Sequence, residues 1–160
     1  MIARDPSIAL ASLVVLAGWL GAALLVVLSV APAAFAVLPT RALAGALVGR
    51  VLPVLFWSGM IIGVTLGVLG WSSPNRFARI VGAVALAGAC ATAEFVVSPR
   101  IAQVRAQAGG AIDALGPSDS RRREFGRLHG ISVALLGIAG LSAMLALYRV
   151  VRDVPFRSAP

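Results

Sequence analysis

RIVGAVALAGACATAEFVVSPR, residues 79–100, decides how this chain is to be read. Arg79 and Glu94 bound only 14 uncharged residues, Ile80 to Ala93. A bilayer core is about 30 Å thick and takes about 20 helical residues. The run is too short to cross, so a spanning helix has to continue past Glu94 toward Pro99. Glu94 then sits inside the membrane or just under its interface. An ionised side chain at the centre of a span costs about 2.5–3.5 kcal/mol on insertion scales, so such groups face the bundle interior and find a partner.

The rest of the chain supports the same medium. Pro6 to Thr40 is a charge-free run of 35 residues, and a first span is read over residues 10–35, with Pro32 and Pro39 marking its end. A second charge-free run, Val51 to Asn75, follows Arg50. It supports a span over residues 48–71, with Pro53 as kink site and Trp71 at an interface. The third span covers residues 78–98 and the fourth residues 128–149, with Tyr148 and Arg149 as interfacial anchors. Ser120 is the expected N-cap of the helix leading into the fourth. Between spans three and four, Ile101, Val104, Ala108, Ile112 and Leu115 recur at near-helical spacing. They predict a short interfacial helix, weakened at Gly109–Gly110 and ended at Gly116–Pro117. The expected fold is therefore all-α: one integral membrane domain over residues 1–160, a four-helix bundle with an interfacial helix. Ala34-Phe35-Ala36 fits a signal-cleavage pattern, but the apolar stretch before it is longer than the 7–15 residues of a signal core, so a retained span is expected.

Composition narrows the function classes. Hydrophobic residues make up 59% and charged residues 12%, against about 25% in soluble domains. Disorder is excluded by low polarity, and a disulfide scaffold by the single Cys90. All 14 basic residues are arginine, giving a net charge of +8. With four spans, Arg41, Arg50, Arg100, Arg105, Arg121, Arg122, Arg123 and Arg127 fall on one membrane side. Arg4, Arg76, Arg79, Arg149, Arg152 and Arg157 fall on the other. That distribution reads as a collar for anionic lipid headgroups rather than a nucleic-acid patch, and nucleic acid is not expected as a partner. The positive-inside rule leans toward the eight-arginine side being cytoplasmic, without fixing the orientation.

Gly59, Gly63 and Gly67 recur every fourth residue, with Gly45 and Gly49 repeating the spacing earlier. In lipid such stripes let helix backbones approach closely. Two readings stay open: packing within one bundle, or a homodimer through the Gly59–Gly67 face. Ala85, Ala89 and Ala93 form a second stripe, and Ala17/Gly21 with Gly18/Ala22 a shorter one.

The topology brings Arg50, Glu94, Arg100, Arg105 and His129 to one end of the bundle. The candidate polar cluster has Glu94 paired with Arg50 or Arg100 and His129 completing a pocket. The alternative is that Arg50 snorkels and Glu94 meets arginines at the surface. No metal is expected, since one histidine, one cysteine and scattered methionines do not furnish three or four ligands. Haem on His129 would need a symmetric dimer or an axial Met60 or Met144. No phosphate loop or Ser/His/Asp set is recognisable.

Several motifs share an order with a known group. They are Val30-Ala31-Pro32-Ala33-Ala34-Phe35 with Leu38, Ala44-Gly45 with Gly49-Arg50, Ser98-Pro99-Arg100-Ile101 with Arg105, and Phe125 with Leu128-His129-Gly130-Ile131-Ser132. In this order they resemble the transmembrane protein 205-like family over about residues 10–150. The resemblance implies a four-helix membrane protein without an established activity and, in the human relative, an association with platinum-drug resistance. It is also distantly similar to copper-resistance D and porphyrinogen-oxidase membrane proteins, which use several histidines where this chain has one. The expected role is a non-enzymatic accessory or packing subunit of a membrane complex, in a cell membrane such as the bacterial inner membrane. The alternatives are a haem-, porphyrin- or metal-handling protein using His129, and a small transporter or resistance factor with Glu94 as titrating group.

Overall fold

The computed structural model describes residues 6–71, 76–110 and 112–153; Arg4 and Arg157 lie outside them. Four helices are long and apolar enough to cross a membrane, and no strand occurs among the described residues. Helix α1 is α-helical over Pro6–Leu25, π-helical over Val26–Val30 and α-helical again over Ala31–Val37. Helix α2 is Arg41–Gly70. Helix α3 is α-helical over Arg76–Thr92, π-helical over Ala93–Val97 and α-helical over Ser98–Gln107. Helix α4 is Ser120–Asp153. They form an up-down-up-down bundle in which α3 lies between α2 and α4, and α1 lies against α4 and α2.

Of the two prolines expected to end the first span, Pro39 does follow the last turn of α1, whereas Pro32 lies inside the helix, as Pro99 lies inside α3. Pro32 and Pro99 each sit two residues past a π-turn, at the start of a continuing α-helical segment. Within the turn the amide of Ala31 donates to the carbonyl of Val26, and that of Ser98 to Ala93, five residues back rather than four. A proline ring collides with the carbonyl four residues before it and offers that carbonyl no N–H. A turn widened by one residue moves that carbonyl aside, so the helix passes through the proline instead of breaking. Pro53 likewise lies within α2.

The continuation of α3 corrects the reading of residues 100–115. Ser98–Gln107 extends α3 rather than lying apart on the membrane, and a short 3-10 helix, Ile112–Ala114, follows. The apolar positions predicted to face lipid face protein instead. Val97, Val104, Ile112 and Leu128 are buried together, with Ile101, Ala108, Leu115 and Phe125 packed around them. Their periodicity is that of a helix laid on the N-terminal turns of α4. Gly109 and Gly110 adopt positive φ, 63° and 85°, where a side chain would be strained, and so turn the chain after α3. The cap of α4 is Asp119 rather than Ser120. Its Oδ1 accepts from the Arg121 amide at 2.8 Å, while Thr40 caps α2 by accepting from the Leu43 amide at 3.2 Å.

Side-chain size is inverted relative to a soluble protein. Half of the core is small, namely Ala23, Ala89, Cys90, Ala93, Ala139 and Ala143, filled in by Leu16, Trp19, Val26, Leu55, Phe56 and Leu86. Large side chains such as Val14, Leu28, Val64, Val84 and Leu141 point outward. Lipid solvates them as well as a core would, so packing is decided by backbone approach rather than by apolar area.

Candidate functional site

The seam between α2 and α3 carries the five α2 glycines that the spacing singled out. A Cβ on Gly63 would stand 2.8 Å from both the amide nitrogen and Cβ of Ala87, and 2.9 Å from the Ala83 carbonyl oxygen. On Gly59 it would meet Cys90 Sγ at 2.6 Å and the Trp19 ring at 3.0 Å; on Gly67, Ala83 Cβ at 3.5 Å. These three glycines face α3 of the same chain. Gly45 and Gly49 do something different: they make a slot for a guanidinium. A Cβ on Gly45 would lie 2.5 Å from Arg105 Nη2, and one on Gly49 3.8 Å from Nη1.

Arg105 is held there by a carbonyl and a ring. Its Nη1 donates to the Gly45 carbonyl at 3.1 Å, its guanidinium carbon lies 5.3 Å from the centre of the Phe125 ring, and Phe125 stacks on His129 with centroids 6.2 Å apart and planes 8° from parallel. Gly45, Gly49, Arg105 and His129 thus meet around Phe125 and join α2, α3 and α4 at the arginine-rich end. The opposite end has a similar contact, with Arg149 Nη1 donating to the Ala78 carbonyl.

Arg50 and Arg100 do not join this group; both are exposed. The pairing expected for Glu94 is not formed: its Oε2 is buried without a hydrogen-bond partner, and Glu94 makes no ion pair among the described residues. The π-turn Ala93–Val97 contains it, and the antiparallel register running from Gly63–Ala87 through Gly59–Cys90 to Gly45–Arg105 sets it level with Phe56. At about 1.5 Å per residue, Arg100 is about 9 Å further along the axis.

The neighbouring donors are already committed to backbone carbonyls. Thr92 Oγ1 donates to Gly88 at 2.8 Å, Ser98 Oγ to Ala93 at 2.9 Å, Ser58 Oγ to Val54 at 2.7 Å, and Trp19 Nε1 to Leu55 at 3.0 Å. Glu94's own carbonyl is short of donors too. Of its usual helical partners, the Ser98 amide is given to Ala93 and Pro99 has no N–H.

His129 is exposed, and no group of three or more potential metal ligands occurs among the described residues. A shallow surface hollow at the start of α4 is lined by Ser120, Arg123, Glu124 and Arg127. Beside it, Arg121 hydrogen bonds hold the Asp119 carboxyl down at about 2.

Phe125, the ring joining Arg105 to His129, is visible in the sequence only as a motif position. The one signal of that role is the four-residue spacing to His129, which places two rings on one helix face. Ser98 was visible only as part of the Ser-Pro step.

Residues 14–109 match the model of a family described as a domain of unknown function, DUF4149, and the chain belongs to that family. The matched stretch covers most of α1, all of α2 and α3, and with them Glu94 and Arg105. No curated protein and no solved structure matches the chain.

Proposed function

We propose that this DUF4149 protein is a multi-pass protein of the cell membrane, the inner membrane in a bacterium, and that it acts as a small transporter or resistance factor with Glu94 as its titrating group. A helical bundle rather than a closed barrel is the form that belongs to inner rather than outer membranes. The observation that carries the role is the buried Glu94 oxygen without a partner. A structural carboxyl in hydrocarbon is normally neutralised by a neighbouring arginine. Here Arg50 and Arg100 are exposed, and Arg105 is engaged with Gly45. The likeness to the transmembrane protein 205-like family fits a resistance role. The test is flux in proteoliposomes. A pH-dependent flux in the wild type, lost in Glu94→Gln, supports the role; flux unchanged in the variant removes it.

A second reading, an accessory or self-associating subunit, draws on α1. Ala17, Gly18, Gly21 and Ala22 are exposed on the bundle exterior, and no atom lies within 4 Å of a Cβ built on Gly18 or Gly21. The Gly59–Gly67 face is filled within the chain, whereas α1 keeps a small-residue face open to a second copy or a partner helix. Cysteine at Gly18 that forms a disulfide-linked pair in native membranes supports a homodimer; co-purification of a stoichiometric partner supports a complex. Anionic headgroups are the expected ligands of the exposed arginines Arg41, Arg50, Arg100, Arg123 and Arg127.

A further inference from the structure

We propose that the π-turn of α3 is a binding site for a small, hard, positively charged ligand, a proton or an alkali cation, held on the Glu94 carboxyl. This rests on the reading of Glu94 as the working group and names what the group binds.

The inference comes from counting donors and charges. Glu94 Oε2 is buried and unpartnered on a half-buried residue, and a carboxylate inside a membrane span is costly to keep without compensation. Among the described residues, no charged side chain is placed to supply the compensation. Helix α1 carries no charged residue in its described span. Between Arg41 and Gly70, α2 carries only Arg50, which is exposed. On α3, Arg100 is exposed and Arg105 is in its glycine slot. On α4, nothing charged lies between Arg127 and Arg149 except the exposed His129 when protonated. The hydroxyls of Ser58, Thr92 and Ser98 and the indole of Trp19 are spent on carbonyls. What remains is a surplus of acceptors: a carboxyl oxygen and the Glu94 carbonyl that Pro99 leaves without an amide. A surplus of oxygen acceptors in a helix broken by a π-turn and a proline calls for a ligand that is positive and takes oxygen donors. A neutral or anionic ligand offers the carboxylate no compensating charge.

The test uses the full-length protein in mild detergent, treated with a lipid-soluble carbodiimide, which adds covalently to protonated carboxyls in apolar surroundings. Peptide mass analysis locates the adduct. A proton ligand predicts label at Glu94 that depends on pH and is indifferent to sodium. An alkali-cation ligand predicts label that sodium suppresses at constant ionic strength against choline. No label at Glu94 at any pH, or label indifferent to both pH and sodium, overturns the proposal. Glu94→Asp should retain the label and Glu94→Gln lose it, with helical circular dichroism and melting of both variants showing that they are folded. The two readings fail separately. Label without flux leaves the site and removes the transport role, whereas flux lost in Glu94→Gln without any label keeps the role and overturns the site.

Discussion

Gly63→Ala tests whether the bundle is held by backbone contact. The new methyl would stand 2.8 Å from Ala87 N, 2.8 Å from Ala87 Cβ and 2.9 Å from Ala83 O. Two of these are backbone atoms, which cannot rotate away as a side chain can. Relief requires α2 and α3 to separate, and that loosens contacts all along the seam. Overpacking of a filled interior costs about 1–3 kcal/mol. Replacing an interior helical glycine returns up to about 1 kcal/mol of propensity, so a net loss of about 1–2 kcal/mol is expected. Gly140→Ala is the control, because a Cβ there meets nothing within 4 Å, and it should be neutral or mildly stabilising. Gly67→Ala, with its nearest contact at 3.5 Å, should fall between them. The assay is denaturant unfolding in mixed micelles followed by tryptophan fluorescence, since Trp19 packs against the same seam at Gly59. Equal midpoints for Gly63→Ala and Gly140→Ala would refute the close approach of α2 and α3.

Arg105→Lys should not rescue Arg105→Ala. A compact ammonium cannot both lie flat on Phe125 and reach Gly45 as a guanidinium does, and each variant should lose about 1 kcal/mol, read as faster amide exchange over Ser98–Gln107. Gly45→Ala should give the same local exchange pattern, because its methyl displaces the guanidinium end while leaving the backbone of α2 in place. Asp119→Asn should speed exchange in the first turn of α4. In the wild type the Asp119 carboxyl lies below its ordinary value, so its contribution is present above about pH 4 and fades as pH falls toward about 2. The exchange difference between wild type and variant should close over that window.

The span pattern was legible because charge placement fixes it. Arg79 and Arg100 flank one crossing, and Pro6–Thr40 contains no charge to interrupt another. Helix ends were less legible. Pro39 does follow the end of α1, but Pro32 read as a terminator too, since a local rule about proline cannot anticipate a π-turn that accommodates it. The apolar spacing from Ile101 to Leu115 was visible, but lipid and a neighbouring helix ask for the same residues. Only the extension of α3 beside α4 tells which of them is met. The glycine spacing flagged Gly45 and Gly49 for the same reason it flagged Gly59 and Gly63. That one pair admits a guanidinium and the other a backbone depends on which residue of α3 stands opposite. Glu94 stood out as an ionisable group inside a span, whereas the want of a partner depends on where each arginine ends, and long flexible side chains leave no trace of that in spacing.

The inverted arrangement of side-chain sizes has a practical consequence for handling the protein. A soluble bundle is kept closed by water, which is poorly tolerated anywhere along its seams. Here the competitor is the hydrocarbon tail, as compatible with the exposed valines and leucines as they are with one another. What keeps tails out of the seam is its narrowness at Gly59 and Gly63, too tight to admit a methylene chain. Bulky, slowly exchanging amphiphiles respect such a gap, and short mobile ones pry at it. The length and mobility of the surrounding chains therefore belong among the determinants of this fold, beside its own residues.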